Sequence, residues 1–332
     1  MNKTEAPSLT DTLSFVETVG AAFLAGSPAP DAALLGRWRP TRSAWNWARR
    51  SQVAISGLTR RHIWLDQHRV TLLEGGRMDA EPVVLVHGFG ASKENWLLMA
   101  GLLARRYRLI IPDLPGFGES HFIASSNYRL ATQADRLHRI LTQLDCGPVH
   151  LVGNSMGGAI SGITAARHPE QVLSLTLMNA AGLRGHRASD FERSLLKGQN
   201  PLIPGNILDV ARLFRIATWR NRHGLSALLT PLMYREMVHR NPVNHRIFRD
   251  MLEIDEAPEG VFSTIQCPTL IMWGERDAVL DVSCAERFQA IIPHARQRIF
   301  QDVGHLPMVE APGLTARSLR SFWREARQKL QH

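Results

Sequence analysis

Three cysteines are too few and too scattered for a disulfide framework: Cys146, Cys267 and Cys284 lie far apart, are odd in number and show no zinc-ligand spacing. They read as buried or idle thiols, compatible with a reducing compartment. Long apolar runs are missing too. The most hydrophobic stretch near the N-terminus, residues 13–26, is interrupted by Glu17 and too short to span a bilayer. Glu5 and Asp11 spoil the positive start that a secretory signal needs, so an amphipathic helix is the simpler reading. There are no internal repeats and no low-complexity segments. With 44% hydrophobic and 21% charged residues, the 332-residue chain has a globular composition and enough length for one large domain with an insertion, or for two ordinary domains.

Acidic residues are absent between Arg37 and Leu65, where Arg37, Arg39, Arg42, Arg49, Arg50, Arg60 and Arg61 contribute much of the net charge of +9. Trp38, Trp45, Trp47 and Trp64 are interleaved with them. Two readings of this N-terminal arm, residues 1–60, stay open: peripheral contact with an anionic membrane surface, or packing of the tryptophans on the rest of the protein. No recognition helix or RNA-binding signature accompanies the charge, which argues against nucleic acid. The expectation is a cytoplasmic protein, free or held at a membrane.

Downstream, buried-strand runs alternate with amphipathic segments. Residues 61–73 read as two short strands about a turn, 82–86 as a strand covered on both faces, 93–105 as a helix and 108–112 as a strand. A helix over 128–144, the strand 149–154, a helix from Met156 to about residue 168 and a strand over 173–178 follow. The rhythm then stops. Residues 183–265 show only helical pieces, punctuated by Pro201, Pro204, Pro231 and Pro242, before strands resume at 268–273 and 297–300 and a helix closes the chain. The pattern predicts an α/β fold with a mostly parallel sheet, a core of residues 61–182 and 266–332, and an inserted helical cap over 183–265.

Active sites on such sheets collect at the carboxyl ends of the strands, where His87, Asp113, Ser155 and Asn179 all fall. Ser155 stands in G-N-S-M-G, a strand-to-helix elbow that lifts the hydroxyl clear of the sheet and leaves no room for side chains at Gly153 and Gly157. A serine hydroxyl needs a base, and the base needs an orienting group. His305, in D-V-G-H-L-P just past the last strand, is the candidate base; His294 precedes that strand and His332 is terminal. Asp277 in G-E-R-D is the preferred acid, Glu275 being assigned to the turn and Asp281 to the cap of the next helix. The oxyanion donors are expected to be the backbone N–H groups of Met156 and Phe89. His87 and Asp113 read as braces of their loops. Leu208, Phe214, Leu229 and Met233 are the foremost cap candidates for lining an acyl pocket.

With these residues in place the chain resembles the α/β-hydrolase superfamily over residues 61–330. V-L-V-H-G-F-G, I-P-D-L-P-G-F-G-E-S, L-V-G-N-S-M-G-G, M-W-G-E-R-D and D-V-G-H-L-P-M-V-E-A-P occur in that family's order and spacing. Within it, the sequence is most similar to bacterial lipases and esterases related to monoacylglycerol lipases, which share the N-S-M-G-G elbow and the G-H-x-P-M-x-E ending. The resemblance implies the usual sheet order, a triad of Ser155, Asp277 and His305, an ester or acylglycerol substrate, and neither cofactor nor metal. Some relatives carry the acid after the sixth strand, where this chain has Asn179, which cannot supply the charge.

Two alternatives remain. Hydrolases of carbon–carbon bonds in aromatic ring-fission products share the elbow, but usually carry a proline-containing, glycine-rich oxyanion loop and a tryptophan after the histidine. Here Phe89, Ala91 and Ser92 occupy the loop and Leu306 follows His305. A hydrolase fold kept only for ligand binding would not require an intact serine, acid and histidine. Haloalkane dehalogenases and epoxide hydrolases use an aspartate at the elbow, and Ser155 argues against both.

Overall fold

Eight strands pair into one sheet in the computed structural model, which describes residues 11–27, 29–40, 53, 56–220 and 222–330. In chain order they are β1 (Leu58–Leu65), β2 (His68–Gly76), β3 (Pro82–Val86), β4 (Arg108–Pro112), β5 (Val149–Asn154), β6 (Val172–Met178), β7 (Thr269–Gly274) and β8 (Arg296–Phe300). Across the sheet the order is β1-β2-β4-β3-β5-β6-β7-β8. The β1–β2 hairpin and the β2–β4 pair are antiparallel, and every later pair is parallel. The first strand starts at Leu58, a few residues before the boundary expected from the sequence.

The chemistry of each strand matches its place. Central β5 and β7 are buried at every residue, as strands covered by helices on both faces must be. The two edges carry charge instead: β1 exposes Arg60 and Arg61, and β8 exposes Arg296 and Arg298, which discourages pairing with another chain. One face of the sheet is covered by α4 (Leu130–Leu144) and α5 (Met156–Arg167), and its core includes Val84, Leu137, Leu151, Ile160 and Leu177. On the other face, Trp96, Met99, Leu103, Leu319 and Trp323 pack with Val83, Leu85 and Met272. They come from a short 3-10 turn (Lys93–Trp96), α3 (Leu97–Leu103) and the C-terminal helix, which spans Pro312–Leu330.

Between β6 and β7 the chain inserts α6 (Asp190–Leu195), α7 (Ile207–Ala217), α8 (Arg222–His239), α9 (Asn241–Met251) and α10 (Pro258–Ser263). Pro231 does not end a helix as the sequence suggested; α8 runs through it. Its ring removes one amide donor to the turn before, a local loss that the rest of the helix tolerates. The last piece, α10, leaves the insertion and lies on α5: Phe262 fills the space above Gly162 and Gly182, where a Cβ would collide with its ring.

Upstream, α1 (Asp11–Gly26) and α2 (Ala32–Arg37) pack on the insertion. Val19 and Phe23 are buried in a cluster with Phe191, Leu195, Ile203, Phe248 and Val279. The Phe23 ring meets Phe248 edge-on at 4.9 Å and stacks on His245 at 5.5 Å. Trp38 stacks on His239 at 5.5 Å, donates from Nε1 to its carbonyl at 3.0 Å, and carries the Arg240 guanidinium 5.2 Å from its ring. The described part of the arm is therefore anchored by its aromatic residues. Arg42, Trp45, Trp47, Arg49 and Arg50 lie outside the described residues. Among the described residues no helix is long and apolar enough to cross a membrane.

Candidate active site

Parallel register brings the strand ends to one line. Asn154 of β5 lies opposite Met178 of β6, Met178 opposite Met272 of β7, and Gly274 opposite Phe300 of β8. Residues just past these ends therefore meet over the sheet. Ser155 turns the chain from β5 into α5 with φ 55° and ψ −122°, a backbone region that a non-glycine residue occupies only when its surroundings hold it there. They do: Ser155 N–H donates to Met178 O at 3.0 Å, and its carbonyl accepts from Gly158 and Ala181, both at 2.9 Å.

The glycines beside it follow from close approach. A Cβ at Gly153 would collide with the Gly157 carbonyl, and one at Gly157 with the carbonyls of Val86 and His87. At Gly88 it would stand 3.1 Å from the Ser155 side chain, so the H-G-F-G loop lies directly against the elbow. Phe89 follows Gly88 in that loop, and Met156 opens α5, where the first amides of a helix lack intrahelical acceptors. The Phe89 ring is held between Phe117 at 6.1 Å and Phe248 at 5.5 Å.

His305 and Asp277 are in contact. His305 Nδ1 and Asp277 Oδ2 are 2.7 Å apart, and both residues are buried. A carboxylate can only accept, so Nδ1 carries a ring proton, and in the neutral imidazole Nε2 is then the acceptor. Asp277 Oδ1 accepts the Val279 and Leu280 amides at 2.8 and 3.0 Å. Glu275 is exposed beside Arg276, and Asp281 accepts the Ser283 amide at the start of α11 (Ser283–Ile291), so neither competes for the histidine.

Two asparagines complete the frame, and the sequence reading gave neither a part. Asn154 Nδ2 donates to Met178 O at 3.1 Å and to His305 O at 3.2 Å, tying the elbow to the histidine loop. Asn179, with φ 45°, donates from Nδ2 to Asp277 Oδ2 at 2.7 Å, the oxygen that faces His305. Asparagine tolerates this left-handed backbone and supplies the amide donor. The sequence signal was present in both cases, an asparagine at each of two neighbouring strand ends, but the partners lie more than ninety residues away.

His87 and Asp113 brace the loop opposite. His87 Nδ1 donates to Gly88 O at 2.8 Å and its Nε2 accepts from Leu114 N at 3.1 Å, so the ring is neutral; burial lowers its pKa. Asp113 is fully buried, 2.7 Å from the equally buried Lys93 ammonium and hydrogen-bonded to the amides of Lys93 and Glu119. Burial would discharge Lys93, but Asp113, Glu94 and Glu119 outweigh it and hold the ammonium above the usual lysine range.

An apolar cavity of about 210 Å³ lies between α1, α5 and α9, and Ser155, Asp277 and His305 are not among its walls. Its walls include Phe15 and Val16 of α1, Ala159 and Ile163 of α5, Phe248 of α9 and Leu280. Leu208, Phe214 and Leu229 are not among its walls, and Leu208 is 70% exposed. Met233 lines a separate small cavity of about 30 Å³ with Gly90, Ser92 and Asn244, next to the H-G-F-G loop.

The sequence profile of the alpha/beta hydrolase fold matches residues 81–198. Lipase 1 of Psychrobacter immobilis is 32% identical over 257 residues, covering 76% of this chain and 80% of that one. Monoacylglycerol lipase ABHD6 of Bos taurus is 27% identical over 290 residues, 84% of each chain. A crystal structure of a membrane phospholipase A, described as a bacterial virulence factor, superposes with a TM-score of 0.78 at 32% identity, covering 96% of this chain and 98% of that chain. Identity at that level over most of both chains is shared descent, and the chain belongs to the alpha/beta hydrolase fold family.

Proposed function

We propose that Ser155 is the nucleophile, His305 the general base and then acid, and Asp277 the group that orients the imidazole in the hydrolysis of acyl esters through an acyl-enzyme. The protein is a carboxylic ester hydrolase of the lipase and esterase kind, with esters or acylglycerols as substrates. The observation that carries the residue assignment is the pairing of His305 Nδ1 with Asp277 Oδ2 at 2.7 Å, in a loop that Asn154 ties to the strained Ser155 turn.

In this reading Nε2 of His305 takes the Ser155 proton as the hydroxyl oxygen bonds to the ester carbonyl carbon. The Met156 and Phe89 amides receive the oxyanion. Collapse breaks the bond to the alcohol, which leaves with the proton from His305; water then repeats both steps on the acyl-enzyme and releases the acid. Residues 183–265 form the cap. The acyl chain is assigned to the apolar cavity, because Ala159 lies one helical turn beyond Ser155 and Phe248 joins the cavity wall to Phe89. Met233 borders a separate small cavity at the H-G-F-G loop. With Trp38 engaged by the insertion, the arginines of the arm are assigned to contact with an anionic lipid surface.

Turnover of a chain-length series of esters, with a monoacylglycerol, a triacylglycerol and a vinylogous diketone as the carbon–carbon control, tests this reading. Ester cleavage that survives Ser155→Ala, or faster turnover of the diketone, would overturn it. For the arm, α1 is part of the folded core, so deletion would disturb more than binding. Arg42, Arg49 and Arg50 changed together to Glu should instead release the enzyme from anionic vesicles; unchanged binding removes the membrane role.

A further inference from the structure

Glu310 joins two segments that sequence separates by more than eighty residues. It is the last residue of a short helix, α12 (Pro307–Glu310), that begins two residues after His305. Its Oε1 accepts the amides of Gly304 at 3.0 Å and Leu306 at 3.4 Å, the two residues flanking the histidine. Its Oε2 accepts the amides of Trp219 at 2.7 Å and Arg220 at 2.8 Å, which follow α7 in the insertion. The His305 amide itself donates to the carbonyl of Ala217, the last residue of α7, at 3.1 Å. The contact is tight: a Cβ at Gly304 would stand 2.8 Å from the Trp219 nitrogen and 2.9 Å from Glu310 Oε1.

We propose that Glu310 is a positioning residue that clasps the histidine loop to the end of α7, so that His305 holds its working place only while the helical insertion is seated over the site. The chemistry requires an ionised carboxylate, since four amides can only donate and an amide or protonated side chain would turn one acceptor into a donor facing them. Burial raises the Glu310 pKa, while the amides of Trp219, Arg220, Leu306 and Gly304 oppose that rise. On the other side the loop is pinned by Asn154 to the His305 carbonyl. One loop thus answers to the elbow through an asparagine and to the insertion through a glutamate.

The inference rests on His305 being the base, and the test separates the two. Steady-state kinetics on a soluble short-chain ester are measured for Glu310→Gln, His305→Ala and the double variant, with thermal melts to show that each is folded. Glu310→Gln should lower kcat about 100-fold with KM little changed, the scale of effect of an ångström-sized misplacement. In the His305→Ala background it should cause no further loss, because both act through the same imidazole. A kcat within about threefold of wild type, or an equal loss in both backgrounds, would overturn the role of Glu310. Should Glu310→Gln fail to fold, Glu310→Asp keeps the charge but not the reach, and the same comparison decides. If His305→Ala alone retains full activity, the base assignment falls, and the clasp on the histidine falls with it.

Discussion

Asn179→Asp should make stability depend on pH in a way that reports the contact with Asp277. The asparagine amide lies 2.7 Å from the oxygen that also meets His305 Nδ1, and both residues are buried. The substitution keeps the size of the side chain and a residue that accepts left-handed backbone, so geometry is not the perturbation. A second carboxylate brings two like charges to about 4 Å, which at an effective dielectric near 20 repel by about 4 kcal/mol. At about 1.4 kcal/mol per unit, that is about three pH units over which the folded variant keeps one proton, shared among the two carboxyls and the imidazole. The unfolded chain releases it near pH 4. From about pH 4 to about pH 7 the folded variant therefore binds more protons than the unfolded one, and its stability falls as pH rises through that window. Urea unfolding of variant and wild type at about pH 4.5 and about pH 8 should show the difference between them widening by up to about 4 kcal/mol. A difference that stays constant with pH would mean that residue 179 does not face Asp277, and the account of how the acid is held would be wrong.

Lys93→Met should destabilise the protein by about 3–5 kcal/mol in urea unfolding, because it leaves Asp113 charged and unpaired in the core beneath the H-G-F-G loop. Phe23→Ala should cost about 3–5 kcal/mol of local stability, since the ring is fully buried between His245 and Phe248. Limited proteolysis should then cut near α1 before the sheet opens; an unchanged cleavage pattern would mean that α1 is not held by this ring. Asp277→Asn should lower kcat by about 10⁴, as expected when the imidazole takes the wrong tautomer. Full activity there would move the acid elsewhere.

Much of the fold was legible because burial and chain direction leave periodic marks. Val83 to Val86 are apolar throughout, and residues 149–154 mostly so, because both faces of a central parallel strand are covered, and the run of helices after Gly182 showed where the sheet is interrupted. Ser155, Asp277 and His305, the proposed triad, stood out in the sequence because each follows a strand, and parallel strands end on one side. Pro231 misled, since one missing donor is a local penalty that the remaining turns of α8 outweigh.

The sequence by itself determined the architecture and the order of the groups proposed to react: periodicity and turn chemistry are local, so they can be read from neighbours in the chain. Only the tertiary structure decided what holds those groups in place. Asn154 reaches the His305 carbonyl, Asn179 reaches Asp277, and Glu310 reaches the end of α7, each across a large separation in sequence. It also decided that Val19 and Phe23 of α1 are packed against the insertion, and with them Trp38, for which composition alone had left a membrane surface and a protein surface equally suited. Hydrogen bonds and ring contacts depend on distances of a few ångströms between remote residues, and those distances exist only once the chain has folded.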